Sequence, residues 1–194
     1  MSIPRLSLRP KRERRSSSGH PWIFSNELEA GFADLPPGSA VDVFDAKGKF
    51  VGRGLLSPSS LIAVRLYSRA RHDDLDDPLF YTMRLREALA YRARVLPGRT
   101  SCRVVHAEGD FLPGLIVDRF GDHLAVQVST VGLENRLDVL EEAVKQVLAP
   151  ASAVFRDDNK VRELEGLEPG RGVWFGDPPE SVDIGEYGLT YRID

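Results

Sequence analysis

Apolar and polar positions along the chain fall into two regimes. Between residues 40 and 68 the pattern is short and strand-like. "AVDVF" (Ala40 to Phe44) is apolar-rich, "DAKG" supplies turn chemistry, Lys49 to Leu56 returns, and "LIAVRLYS" (Leu61 to Ser68) follows. Several short strands in so small a stretch predict a mostly β barrel or sandwich. "RHDDLDDP" then marks a seam. Beyond it, Phe80, Met83, Leu85, Ala88, Leu89 and Leu96 recur at spacings of three and four, predicting an amphipathic helix over Leu79 to Leu96. Asp76 or Asp77 can cap its start, and Pro97-Gly98 ends it.

The strand pattern resumes in "RVVHA", "LPGLIVDRF" and "HLAVQVST", separated by "EGD" and Gly121-Asp122 turns. Leu133 to Leu148 carries Leu137, Leu140, Val144, Val147 and Leu148 on one helical face and halts at Ala149-Pro150. "SAVFRDD" reads as another strand. A polar passage with Gly170, Gly172 and Gly176 reads as loop, and "ESVDIGEYGLTYRID" as a last hairpin. The chain ends within that hairpin's second strand, which is the expectation for part of a longer protein. The fold class expected is α+β.

With 42% apolar and 28% charged residues, the 194-residue chain has the balance of a packed globular protein. No run of about 18 apolar residues or secretory leader is visible, so a cytoplasmic protein without membrane contact is expected. A single cysteine, Cys102, excludes an internal disulfide and a multi-cysteine zinc site. The net charge of −3 hides an asymmetry: residues 1–72 hold 12 Lys+Arg against 6 Asp+Glu, net +6, and the remainder holds 14 against 23, net −9. Arg5, Arg9, Lys11, Arg12, Arg14 and Arg15 crowd the N-terminus, where they can neutralise the phosphates of a polyanion or form a solvated terminus.

Complete catalytic constellations are missing. His106, Glu108 and Asp110 form H-x-E-x-D, and strand alternation would put them on one face, but no downstream cysteine pair completes a deaminase site, and a polar strand end entering a turn is the commoner reading. Asp157, Asp158 and Asn159 read as Asx turn chemistry. The glycines at 170, 172 and 176 do not have dinucleotide-fingerprint spacing. Gly52 and Gly54 inside a strand pattern indicate a bulge or a close backbone approach. Cys102, in a strand start, reads as a structural thiol. No catalytic, cofactor-binding or metal residue is assigned.

Two stretches carry a resemblance. "SGHPWIFSNELE" with "DVFDAKGKFVGRGLLSPSSLIAVRLYSR" resembles the N-terminal PUA domain of a bacterial family of S-adenosylmethionine-dependent large-subunit rRNA cytosine-C5 methyltransferases. "EGDFLPGLIVDRFGDHLAVQ" resembles the signature of that family's central domain, laid out strand-strand-helix-strand-strand. "VRELEGL", "WFGDPPE" and "VDIGEYGLTYRID" are similar to the stretch leading into its catalytic domain. The resemblance implies a PUA-like RNA-binding domain over 1–72, a connecting amphipathic helix over 73–98 and a central α+β domain over 99–194. Family members continue into a Rossmann-like domain carrying the S-adenosylmethionine loop and a catalytic cysteine, which attacks cytosine C6 before methyl transfer to C5. No stretch of this sequence resembles that domain, so the chain is expected to be the N-terminal part of such a protein, and Cys102 does not match that cysteine.

The resemblance therefore implies a catalytically inactive chain without a cofactor of its own, S-adenosylmethionine belonging to the full-length protein. Its implied partners are structured rRNA and the protein's own C-terminal methyltransferase domain; a homo-oligomer is also compatible. Lys11, Arg12, Arg14 and Arg15 are the candidate phosphate contacts, with Arg53 and Arg65 as weaker ones. His20 and Trp22 are candidates to stack on or border a base, Trp22 reading equally as a core residue beside Pro21, Ile23 and Phe24. The alternative is a stand-alone interaction module whose acidic second domain docks a protein partner.

Overall fold

The computed structural model describes residues 3–186 and 188–194. The first unit is a curled five-stranded sheet, β1 (Arg5–Ser7), β2 (Trp22–Ile23), β3 (Ala40–Phe44), β4 (Phe50–Leu56) and β5 (Val64–Ser68), in the order β1-β3-β4-β5-β2. The basic arm begins as part of this sheet. β1 pairs parallel with β3, burying Leu6 and Leu8 between the arginines, and a short helix α1 (Arg14–Ser17) follows. In the β3–β4 turn, Asp45 Oδ1 accepts from the backbone N–H groups of Lys47 and Lys49 at 2.9 and 2.8 Å, the expected Asx chemistry.

β4 carries the Gly52-Arg-Gly54 stretch, and both glycine readings hold together there. The β4–β5 register slips between Arg53 and Gly54. A Cβ on Gly54 would stand 2.3 Å from the Arg65 carbonyl oxygen, and one on Gly52 2.8 Å from that of Ser68. The backbone approached so closely is β5 itself.

The second unit is a five-stranded mixed sheet ordered β10-β9-β8-β7-β6, built from β6 (Ser101–His106), β7 (Leu115–Phe120), β8 (His123–Val128), β9 (Ser152–Asp157) and β10 (Gly170–Gly176). β8 and β9 are parallel and joined through helices α3 (Val131–Glu134) and α4 (Leu137–Leu148); the other pairings are antiparallel. Three strands thus precede the long helix and two follow it. Helix α5 (Val161–Leu164) precedes β10, and a ribbon of β11 (Val182–Glu186) with β12 (Leu189–Ile193) forms the expected last hairpin, Tyr187 lying outside the described residues.

Helix α2 (Pro78–Val95) starts at Asp77, whose carboxylate accepts from Leu79 N at 2.8 Å with Pro78 at the first helical position. It packs on α4 and β6 as a layer of the second core. Its buried stripe is rotated from the sequence expectation. Phe80, Leu85 and Ala88 are inside as expected and Tyr81 and Thr82 join them, whereas Met83 and Leu96 are 55% and 40% exposed. Two hydrogen bonds draw the polar positions inward: Tyr81 OH donates to Leu75 O at 3.0 Å, and Thr82 Oγ1 donates to Gln146 Oε1 at 3.0 Å.

The glycine passage expected to be loop is instead edge strand β10, paired with β9 from Gly170 to Gly176. Glycines erase the side-chain alternation that marks a strand, while the ladder itself needs only backbone groups.

The two units share packing. Leu55 and Tyr67 of the first sheet belong to the core of the second, and Leu55 sits so close to α3 that a Cβ on Gly132 would stand 2.5 Å from its own Cβ.

Candidate nucleic-acid interface

Lys11, Arg12, Arg14 and Arg15 are all exposed on the turn and helix after β1. Lys11 sits at φ 66, and α1 is held by Ser16, buried, whose hydroxyl donates to Glu13 O at 3.0 Å. The Arg15 guanidinium stands 4.5 Å from the Phe24 ring centroid. Phe24 meets Trp22 edge-on at 6.4 Å, and Trp22 meets His20 edge-on at 5.4 Å. A basic helix and an aromatic row are therefore contiguous. His20 accepts from Trp22 N at 3.1 Å through Nδ1, and Arg69 Nη2 donates to His20 O at 3.1 Å, which orients the row's end. Trp22 is half-buried and bound across the unit boundary: its indole N–H donates to Glu108 Oε1 at 2.7 Å.

Arg53 and Arg65 do not join this surface. Both are buried, at 7% and 6% exposure. Arg53 forks onto Asp42 at 2.7 and 3.1 Å and also donates to Asp73 O, and Arg65 Nη1 pairs with Glu165 Oε1 at 2.8 Å. Each guanidinium meets a carboxylate that sequence order placed 11 or 100 residues away. They are structural, and their expected contact with phosphates is withdrawn. Conversely, Arg5 and Arg71 are exposed and lie 3.9 and 5.5 Å from the Phe44 ring centroid, extending the basic surface. Only the parallel β1–β3 pairing brings Arg5 to Phe44, so no local pattern marks the contact.

The stretch "EGDFLPG" ties the units together rather than making a chemical centre. β6 ends at His106, and a 3-10 turn spans Ala107–Asp110, so H-x-E-x-D does not lie along one strand face. Glu108 takes Trp22; Asp110 takes Arg92 of α2 bidentately at 2.5 and 2.6 Å; and the Pro113 carbonyl accepts from Tyr67 OH at 2.5 Å. Burial pushes the Tyr67 hydroxyl well above the ordinary tyrosine range, keeping it a donor. Among the described residues no group of three or more His, Cys, Asp or Glu could hold a metal ion. Asp157 likewise serves the backbone, accepting from Val128 N at 2.7 Å and pairing with Arg162.

The glycines at 170, 172 and 176 run within an antiparallel edge strand that leads to the β11–β12 ribbon, not into a helix N-terminus. They do not fit the cradle that a nucleoside cofactor such as S-adenosylmethionine requires. Cys102 is half-buried in β6, and burial raises its thiol above the ordinary range against the opposing pull of Arg92 and Arg119.

Fold and surface together define a PUA-like domain joined to a mixed α+β domain, and residues 6–69 match the family model described as PUA-like domain. No helix among the described residues is long and apolar enough to cross a membrane. The chain is 34% identical over 189 residues to Ribosomal RNA large subunit methyltransferase I of Alteromonas mediterranea, spanning 96% of this chain and 47% of that protein. It is 35% identical over 198 residues to the protein of the same name from Cronobacter sakazakii, spanning 100% of this chain and 49% of that one. The chain thus spans about half the length of the curated relatives it matches. A solved structure from Streptococcus mutans, assigned as a SAM-dependent methyltransferase, superposes at a TM-score of 0.79 with 17% identity, covering 98% of this chain and 48% of that one. SMU.776, assigned as a methyltransferase and complexed with SAH, superposes at 0.78 with 18% identity, covering 98% of this chain and 47% of that one. Both share the fold.

Proposed function

We propose that this chain is the RNA-binding and spacer portion of a large-subunit rRNA methyltransferase that uses S-adenosylmethionine in its full-length form and methylates cytosine at C5. The PUA-like match over residues 6–69, which contains the exposed Lys11, Arg12, Arg14 and Arg15, carries the reading. These side chains contact phosphates and fix orientation, gaining free energy from counterion release. His20 and the exposed part of Trp22 border a base at the end of the aromatic row. The 99–194 portion holds the RNA-binding unit at a set angle to the protein's own C-terminal methyltransferase domain. On this reading the chain alone neither binds S-adenosylmethionine nor methylates.

The test is a fluorescence-anisotropy titration of a labelled large-subunit rRNA hairpin at two salt concentrations, with wild type and a variant carrying alanine at positions 11, 12, 14 and 15. Wild type binds, and its log K against log salt slope shrinks in the variant by up to about 3 for four lost phosphate contacts. Equal slopes would refute the arm as the RNA contact, and absence of binding by wild type would refute the reading. Heat released on titrating S-adenosylmethionine into the chain would contradict the assignment of the cofactor to the rest of the full-length protein.

A further inference from the structure

Helix α2 departs from the acidic balance of the second half of the chain. It carries Arg84, Arg86, Arg92 and Arg94 against Glu87 alone. Beside it lies the one aromatic side chain of the "EGDFLPG" stretch. Phe111 follows the 3-10 turn at φ 58, in the left-handed region, and is 64% exposed. A bulky residue there is strained where glycine would be at ease, and exposing its ring forfeits hydrophobic burial. Arg92 serves the fold through Asp110 and the Arg103 carbonyl, but the exposed ring of Phe111 buries nothing in return for its backbone strain.

What surrounds Phe111 suits a flat, electron-rich ligand. Tyr91, 49% exposed, and Phe111 line a cavity of about 410 Å³ between α2 and the turn. That volume lies within the usual range for small-ligand pockets, roughly 300–1,000 Å³. Arg84 stands 5.6 Å from the Phe111 centroid, and Arg92 and Arg94 stand 5.2 and 5.5 Å from that of Tyr91. His106 and the Arg92–Asp110 pair supply polar lining. The pair is pinned, since Asp110 also accepts from His106 N at 2.6 Å. Two aromatic rings, flanking guanidiniums and a fixed polar wall are the means by which proteins hold unpaired bases.

The same turn reaches the PUA-like domain. Glu108, three residues before Phe111, holds the indole of Trp22, so the turn that carries Phe111 is tied to the aromatic row on which Arg15 lies. We infer that the α2–turn cavity is a second RNA site, which takes a single unpaired nucleobase between Phe111 and Tyr91 while the basic arm holds the flanking backbone. This rests on the RNA-binding reading and deepens it. A protein partner seated on the same rings is the competing occupant. Arg84 pairs with Glu87 and Arg92 with Asp110, so it is the exposed Arg86 and Arg94 on α2 that favour the polyanion.

The experiment uses the full chain with an rRNA hairpin bearing 2-aminopurine at an unpaired loop position, and a fully paired duplex of equal length. Wild type quenches the 2-aminopurine as the base stacks. Phe111→Gly, which relieves the left-handed strain and therefore retains the fold in a urea titration, loses the quenching and about tenfold in hairpin affinity. Tyr91→Ala acts in the same direction, and affinity for the duplex is unchanged in both. Hairpin binding and quenching equal to wild type in both variants would overturn the base pocket and leave the arm's role standing, with a protein as the remaining occupant. Failure of wild type to bind either RNA would overturn the functional reading and the pocket together.

Discussion

The indole N–H of Trp22, in the first sheet, donates to the Glu108 carboxylate, in the turn after β6, at 2.7 Å. Trp22 is thereby neither a core residue nor a free stacking platform; it is half-buried and aimed by the second unit. Trp22→Phe keeps a ring but removes the donor, and lowers stability by about 1 kcal/mol. A double-mutant cycle with Glu108→Ala in urea unfolding reads a coupling of similar size. Zero coupling would mean that the contact does not join the units energetically.

Glu165, beside α5, closes a buried ion pair with Arg65 and accepts from Ser57 Oγ at 2.5 Å, fastening the segment after β9 to the first sheet. Removing one partner strands the other charge in the interior. Glu165→Ala is expected to cost about 3 kcal/mol in chemical denaturation, and the joint replacement Arg65→Met with Glu165→Leu to recover most of it.

Gly54 faces the β5 backbone with no room for a methyl group: the nearest atoms to its Cβ position would be Arg65 O at 2.3 Å and Val64 Cγ1 at 2.7 Å. Gly54→Ala should destabilise by about 3 kcal/mol or prevent folding. Gly172→Ala on β10, where nothing lies within 4 Å and φ is not positive, is the control, with unchanged or raised thermal stability.

The Cys102 thiol is raised mainly by burial. A raised value means less thiolate at any given pH, so its alkylation by iodoacetamide rises at higher pH than that of glutathione. A midpoint at or below that of glutathione would show that Arg92 and Arg119 outweigh burial, and would reopen a reactive role.

The element types of this chain were largely readable because they rest on local chemistry. The Asp45 turn, the Asp77-Pro78 helix start and the apolar stripe of Leu140, Val144 and Leu148 all act within a few residues of one another. The exposed basic segment from Lys11 to Arg15 was equally legible, since clustered charge stays near solvent whatever the fold. β10 was missed because its glycines carry no alternating side chains, and its ladder depends on β9, far from any local signal.

By itself, the sequence determined an α+β chain with a β-rich, basic first part, an acidic second part and an N-terminal cluster of cations. Tertiary structure alone decided which cations remain free. Arg53 and Arg65 look like Lys11 and Arg12 in the sequence, yet strand register turns them onto Asp42 and Glu165, and desolvation then makes those pairs inseparable from the fold. It also decided that "EGDFLPG" clamps Trp22, Arg92 and Tyr67 while leaving Phe111 in the open. Such choices depend on contacts between residues tens of positions apart, and those contacts exist only once the two sheets have packed.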